Sequence, residues 1–138
     1  MTSKPVFVDT WAYAALLNKK DPWHEKAVVV CKRLDEDARL YVTTQWVLTE
    51  FLSTAAKPPF RTRAAEYVRK QFATSTTQVI QASHNDWLRA LELYEARADK
   101  EWSLVDCMSI LACQDRDIDE VFSGDRHFEQ AGLKVLLN

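Results

Sequence analysis

The stretch Val6-Phe7-Val8-Asp9-Thr10 is an apolar run that ends in a carboxylate, and residues 11–18 after it have a helical pattern. Short, continuous apolar runs are typical of strands that are buried on both faces of a parallel sheet. We therefore expect a first strand over 6–8 with Asp9 at its carboxyl end. In open α/β sheets, ligands bind beyond the carboxyl ends of the strands, so Asp9 lies where chemistry is expected.

Strand and helix patterns alternate through the rest of the chain. Further strands are expected over 40–42, 77–80, 120–122 and 134–137, and further helices over 22–37, 44–56, 62–73, 85–98 and 104–116, with a short one after Asp125. Asp21 is expected to cap the second helix, with Pro22 at its first position. This alternation predicts an α/β fold whose mostly parallel central sheet is covered on both faces. No repeat or linker interrupts it, so residues 1–138 are expected to form a single domain.

The composition indicates a packed cytoplasmic protein. Of the 138 residues, 47% are hydrophobic and only two are Gly. No apolar run is long enough to cross a membrane, and Met1-Thr2-Ser3-Lys4 lacks the apolar stretch of a signal peptide. Cys31, Cys107 and Cys113 are an odd number of cysteines without a CxxC pair, which favours reduced thiols and indicates no zinc site.

The net charge of −2 argues against a strongly basic nucleic-acid surface. That argument weakens if some of the acidic residues form a metal site, because two bound divalent cations would bring the total to +2. Basic residues that could contact RNA phosphates are Lys57, Arg61, Arg63, Arg69, Lys70 and Arg126. The alternative for these side chains is a solvated helix face.

Three aspartates stand at expected helix starts, where they have a structural and a functional interpretation. Asp9 is a candidate N-cap, although Thr10 could cap the same helix and leave Asp9 free. Asp106 follows Ser103 by three residues, which is the spacing of a capping box. Asp125 follows a strand and a glycine and could also cap. Capping alone explains each of them, so none identifies a site by itself.

Glu50 lacks a capping explanation. On the expected helix, it shares a face with Trp46, Val47, Phe51 and Thr54. That mostly apolar face is expected to point inward, and an isolated buried carboxylate is costly. Glu50 must then be protonated, bound to a cation or paired with an arginine.

The coarse topology brings these carboxylates towards one edge of the sheet. Four like charges that converge repel one another and raise their pKa values unless cations lie between them. Carboxylate oxygens without His or Cys suit Mg²⁺ or Mn²⁺ better than Zn²⁺. We therefore take Asp9, Glu50, Asp106 and Asp125 as candidate metal ligands and catalytic residues.

At these residues the sequence resembles the PIN-domain ribonucleases, in particular the VapC-like toxins of toxin–antitoxin pairs. The segments that carry the resemblance are VFVDT at 6–10, LTE at 48–50, SLVDCMS at 103–109 and SGDRHF at 123–128. The order and spacing of these segments resemble the family pattern across the whole domain. Some relatives carry a further acid where this chain has Ser123 and Gly124, which leaves open whether one metal ion or two bind.

The resemblance implies a three-layer α/β/α sandwich and a metal-dependent endoribonuclease that leaves a 5′-phosphate. It implies that Asp9, Glu50, Asp106 and Asp125 hold one or two Mg²⁺ or Mn²⁺ ions. Thr10 and Ser103 would support these ligands, with helix capping as the alternative. His127 lies two residues beyond Asp125 and could reach substrate, but an exposed residue in the first turn of the short helix is expected. A cognate antitoxin and a homodimer are also implied, and the antitoxin would cover the region of Trp11, Tyr13, Trp23 and Trp46 unless these aromatics are core.

Several other functions remain to be compared with this one. A phosphatase of the haloacid-dehalogenase type needs a second Asp two residues after the first, where this chain has Trp11. A receiver domain needs an acidic pair near its start, and only Asp9 is present there. A PIN-fold nuclease of RNA processing and a non-catalytic scaffold that binds RNA or protein both stay open.

Overall fold

Five short strands form one sheet in the computed structural model, which describes residues 4–138. They are β1 (Val6–Val8), β2 (Tyr41–Thr44), β3 (Thr77–Ile80), β4 (Glu120–Phe122) and β5 (Lys134–Val135). The strand order is β3-β2-β1-β4-β5, and all four pairings are parallel. The predicted parallel sheet is therefore confirmed. The expectation about a signal peptide rests on Met1-Thr2-Ser3, which lie outside the described residues.

Seven helices flank the sheet within residues 4–138. They are α1 (Thr10–Leu17), α2 (His24–Glu36), α3 (Gln45–Thr54), α4 (Phe60–Ala73), α5 (His84–Ala96), α6 (Leu104–Asp115) and α7 (His127–Gln130). All three residues of β1 are buried, which requires helices on both faces of the central strand. Helix α1 packs against α2 and α3, and α5 packs against α6. This is the α/β/α sandwich that the sequence predicts.

The helix boundaries depart from the prediction where a side chain competes with the helix. The Asp21 carboxylate accepts a hydrogen bond from the Trp23 N–H at 2.8 Å. This turn uses the side chain locally, so α2 begins at His24 and not at Pro22. Helix α4 begins at Phe60, two residues earlier than expected, directly after Pro59. The last strand is two residues long, where four were expected.

The core lies between the central strands and the helices and is rich in aromatic side chains. Phe7, Phe51, Phe122 and Phe128 are each 1% exposed or less. Tyr13 packs with Phe51 at a centroid distance of 5.8 Å and is itself buried, so it belongs to the core. All three cysteines are free thiols, and Cys107 and Cys113 are buried. In the part of the chain that the structure describes, no helix is long and apolar enough to span a bilayer.

Removal of the Phe122 ring tests this account of the core. Phe122 ends β4 and is 1% exposed. We expect Phe122→Ala to lower the free energy of unfolding by about 3–5 kcal/mol, because it loses buried apolar surface and leaves a cavity. Chemical denaturation measures the change. Phe72→Ala is the matched control, since Phe72 is 58% exposed, and an equal loss in both variants would contradict the assignment of Phe122 to the core.

Candidate metal centre

The carboxylate of Asp9 lies at the end of the central strand and is almost completely buried. It is 5% exposed and is the N-cap of α1. Asp9 Oδ2 accepts hydrogen bonds from the Ser123 hydroxyl at 3.1 Å and the Trp11 N–H at 3.5 Å. The N-cap is therefore Asp9 and not Thr10, which the sequence left as an alternative. The Thr10 hydroxyl donates instead to the Val47 carbonyl at 3.2 Å and ties α1 to α3.

Asp106 lies in the first turn of α6, where it has the predicted capping role. The Ser103 N–H donates to Asp106 Oδ2, and the Asp106 N–H donates to Ser103 Oγ, each at 3.0 Å. This reciprocal pair is a complete capping box. The same carboxylate also faces the other acids, so capping and membership of the acidic cluster are not alternatives. The box holds the Asp106 side chain in one orientation at the sheet edge.

Ser123 links two of the acidic residues, and sequence reasoning missed this role. It is fully buried and follows β4 directly. Its hydroxyl donates to Asp9 and accepts a hydrogen bond from the Asp125 N–H at 3.0 Å. Ser123 thus joins the loop that carries Asp125 to the end of the central strand. The only signal in the sequence was its position between a strand and an acidic residue.

His127 completes a cluster with two of the predicted acids. Its Nδ1 lies 3.2 Å from Asp106 Oδ2 and 3.3 Å from Asp125 Oδ1. The exposed fractions of the three side chains are 30%, 12% and 29% for His127, Asp106 and Asp125. The expectation of a freely exposed histidine was wrong, because the start of α7 turns this ring towards the carboxylates. One ligand atom from each of the three residues lies within 4.8 Å of the others.

Burial and like charge both disfavour ionisation of Asp9 and Asp106. Burial, and secondly the nearby Asp106 charge, raise the pKa of Asp9 to about 7. Burial also raises the pKa of Asp106, and the charge of Asp125 adds to that shift. The Ser103 N–H and His127 act in the opposite direction on Asp106. A divalent cation would offset the same repulsion, so the charge distribution of the cluster fits a cation.

Glu50 is placed differently from the other three acids. It lies in α3 and is half-buried, next to buried Val47 and Phe51 but also next to exposed Thr54. The expected inward-facing surface is therefore only partly buried, since Trp46 on it is 37% exposed. Within residues 4–138, no ion pair with an arginine holds Glu50. The salt-bridge explanation thus finds no support, and the role of Glu50 as a ligand stays a prediction.

The predicted RNA-contact residues occupy three different places. Arg61 and Arg63 lie in the first turn of α4 and donate to the carbonyls of Ala56 and Leu17. Arg69 and Lys70 lie near the end of α4, which leads to the start of β3 and to the sheet edge opposite the carboxylates. Arg126 directly follows Asp125, and its side chain is 78% exposed.

A close contact supports the loop between Ser123 and Asp125. The ring of Trp11 lies against Gly124, where a β-carbon would come within 2.6 Å of a ring atom. Trp11 in turn meets the edge of Trp23 at a centroid distance of 5.1 Å. Residue 124 therefore has no room for a side chain while Trp11 keeps this position. The contact packs the loop of the acidic cluster onto α1.

The sequence of this chain matches the model of a known protein family over nearly its whole length. The family model described as "PIN domain" matches residues 6–134. The chain belongs to the PIN domain family. PIN nucleases generally use divalent metal ions, and the acidic cluster of this PIN domain offers carboxylate oxygens and an imidazole nitrogen that can bind one. The comparison with curated proteins gives no match.

Among solved structures, this PIN domain is similar to the VapC20 toxin of Mycobacterium tuberculosis, which is described as cleaving the sarcin–ricin loop. The two chains are 26% identical, and the TM-score is 0.80. The match covers 93% of this chain and 95% of VapC20. The resemblance to VapC-like toxins, which the four sequence segments indicated, is thereby confirmed at the level of the whole domain.

The buried carboxylate of this PIN domain predicts a stability that depends on pH. The folded-state pKa of Asp9 is raised from 3.8 to about 7. The folded state therefore binds a proton that the unfolded state has released, and stability is lost as pH rises between these values. In EDTA at pH 8, we expect Asp9→Asn to be more stable than the wild type by roughly 2–4 kcal/mol. The advantage should vanish near pH 4.

Chemical denaturation at several pH values measures this difference. The control is Asp37→Asn, which removes an exposed carboxylate at the end of α2. Its stability relative to the wild type should change little with pH. An Asp9→Asn variant whose relative stability is equally flat would show that Asp9 is ionised at low cost in the fold.

Proposed function

We propose that this PIN domain is an endoribonuclease that depends on Mg²⁺ or Mn²⁺ and is the toxin of a toxin–antitoxin pair. The observation that carries the proposal is the position of Asp9, Asp106 and Asp125 at the carboxyl edge of the sheet, where two of them are buried. A scaffold that only binds a partner has no use for such a costly group of charges. The similarity to an RNA-cleaving toxin also favours an active nuclease over the scaffold and over an RNA-processing role.

Each residue of the centre has a definable task in this proposal. Asp9 and Asp106 are the main ligands, and Asp125 and Glu50 complete the set directly or through water. A bound divalent cation supplies activation of a water molecule for attack on phosphorus and neutralises charge on the leaving oxygen. Ser103 orients the Asp106 carboxylate through the capping box. Thr10 supports Asp9 by fastening the start of α1 to α3.

Hydrolysis needs no covalent nucleophile from the chain, because water can attack the phosphodiester directly. The buried thiols fit this conclusion, since burial raises the pKa of Cys113 to about 12 and keeps it protonated. A bound cation would favour the ionised form of the Asp9 carboxylate, which is the form that acts as a metal ligand. The proposal assigns one or two ions to the four acids.

RNA cleavage by the purified protein tests the proposal. We expect cleavage of a mixed RNA pool with Mg²⁺ or Mn²⁺, and none with EDTA. Asp106→Asn should lower the rate by at least about 100-fold, because the centre loses a charged ligand. Asp115→Asn on the same helix is the control, since Asp115 pairs with Arg89 at the surface and should keep nearly full activity. A hairpin of the sarcin–ricin loop is a defined first substrate, because the similar toxin is described as cleaving it.

Cleavage that persists in EDTA or in Asp106→Asn would contradict the proposed chemistry. No cleavage of any RNA would leave the metal site itself to be measured. Calorimetric titration of the wild type and Asp106→Asn with Mn²⁺ then decides, because a wild type that binds no metal would refute the proposed centre.

Arg126 is the best placed of the predicted RNA contacts, since it is exposed beside Asp125. Each lost phosphate contact lowers the slope of log K against log salt by about one. We expect Arg126→Ala to lower the slope by about this amount, measured with uncleaved RNA in EDTA. Arg69→Ala is the control and should leave the slope unchanged, because Arg69 lies near the opposite end of the sheet. If Arg69→Ala lowers the slope and Arg126→Ala does not, the RNA contacts α4 and not the residues beside Asp125.

We also propose that a helix of a cognate antitoxin binds in an apolar groove of this domain. A groove of about 390 Å³ between α1, α3 and the start of α4 is lined partly by Leu17, Phe51, Ala55, Pro58 and Phe60. Amphipathic helices bind grooves of this kind through apolar anchors. A homodimer and a cytoplasmic location are further parts of the proposal. A purified protein that stays monomeric and binds no protein encoded beside its gene would count against the toxin–antitoxin assignment.

A further inference from the structure

We propose that His127 is a nitrogen ligand of the metal ion, so that the centre selects Mn²⁺ over Mg²⁺. The inference rests on the metal site of the proposed function and extends it. It concerns a side chain that the four-carboxylate prediction leaves out. The observation behind it is the position of Nδ1 between two carboxylates, at 3.2 Å from Asp106 and 3.3 Å from Asp125.

These distances match those between neighbouring ligands of one ion. With metal–ligand bonds of about 2.1 Å in an octahedron, neighbouring donor atoms lie about 3.0 Å apart. The nitrogen of His127 is thus spaced from both carboxylate oxygens like a donor atom on the same ion. One ligand atom from each of the three residues lies within 4.8 Å of the others, which is close enough for shared coordination.

The fold holds the imidazole in place. The His127 N–H donates to Asp125 Oδ1 at 2.9 Å, which fixes the backbone next to the cluster. The neighbouring residue Phe128 is fully buried and anchors α7 in the core. Gln130 at the end of the helix accepts a hydrogen bond from the Trp102 indole at 3.0 Å. A ring held on such an anchored element loses little entropy when it binds an ion.

A nitrogen donor changes which ion the centre prefers. Mg²⁺ favours oxygen ligands and retains several waters. Imidazole suits transition metals, and Mn²⁺ accepts carboxylates as readily as Mg²⁺ does. A centre of aspartates plus one imidazole should therefore bind Mn²⁺ more tightly than four carboxylates alone would, while the gain for Mg²⁺ is small.

The competing explanation is that His127 only positions the two aspartates by hydrogen bonding. In that case its loss would disturb the same carboxylates for every ion. Mg²⁺ and Mn²⁺ affinities would then fall together. A direct ligand instead produces a loss that is specific to the ion that accepts nitrogen, and it leaves a spectroscopic sign on that ion.

Pulsed EPR and calorimetry on the Mn²⁺-loaded protein without RNA separate these explanations. We expect ¹⁴N coupling from a directly bound imidazole in the wild type and in His84→Ala, and its loss in His127→Ala. His84 is the matched control because it is an exposed histidine at the first position of α5, as His127 is at the first position of α7. The Mn²⁺ affinity of His127→Ala should fall about tenfold or more, and its Mg²⁺ affinity by less than about threefold.

Each other outcome overturns the inference in a distinguishable way. Mn²⁺ that binds the wild type without ¹⁴N coupling would exclude His127 as a ligand and leave the four-carboxylate nuclease intact. Equal losses for both ions would make His127 a positioning residue. A wild type that binds neither ion would refute the proposed metal centre itself. The coupling is measured on the wild type, so the result does not depend on the folding of a variant.

Discussion

The cost of burying carboxylates at the end of the central strand, to which their mutual repulsion adds, is the constraint on which the site and its surroundings depend. Asp9 is 5% exposed and carries a pKa raised to about 7 by burial and by Asp106. The Ser123 hydroxyl, the start of α1 and the capping box of α6 offset part of this cost. A cation that binds only the folded chain would stabilise it further. Binding of a cation at this site would therefore be coupled to folding.

The sheet could be predicted from the sequence because most of its strands are short apolar runs that are separated by helical segments. The central strand β1 is buried on both faces, and its apolar pattern is correspondingly plain, whereas the edge strand β3 is only partly buried. Helix starts were harder, because a local hydrogen bond decides them. The Asp21 side chain binds the Trp23 N–H and delays α2 to His24. The length of β5 depends on its neighbour β4, which pairs with only two of its residues, and no local signal reports that.

The acids of the site could be predicted in part. Asp9 and Asp125 follow strands, and a parallel sheet brings such positions to one edge. Asp106 was recognisable by its spacing from Ser103, although that spacing signals a cap as strongly as a ligand. The roles of Ser123 and His127 could not be predicted, because each has one partner distant in the chain, Asp9 for Ser123 and Asp106 for His127, which it meets only through tertiary packing. Glu50 was expected further inside, since a helical pattern does not show where the protein surface begins.

The contact between Trp11 and Gly124 limits which residues these two positions can hold together. A side chain at position 124 would overlap the indole of Trp11. Positions 11 and 124 therefore constrain each other sterically, although they are 113 residues apart in the chain. A side chain at position 124 requires either a residue smaller than Trp at position 11 or a displaced indole.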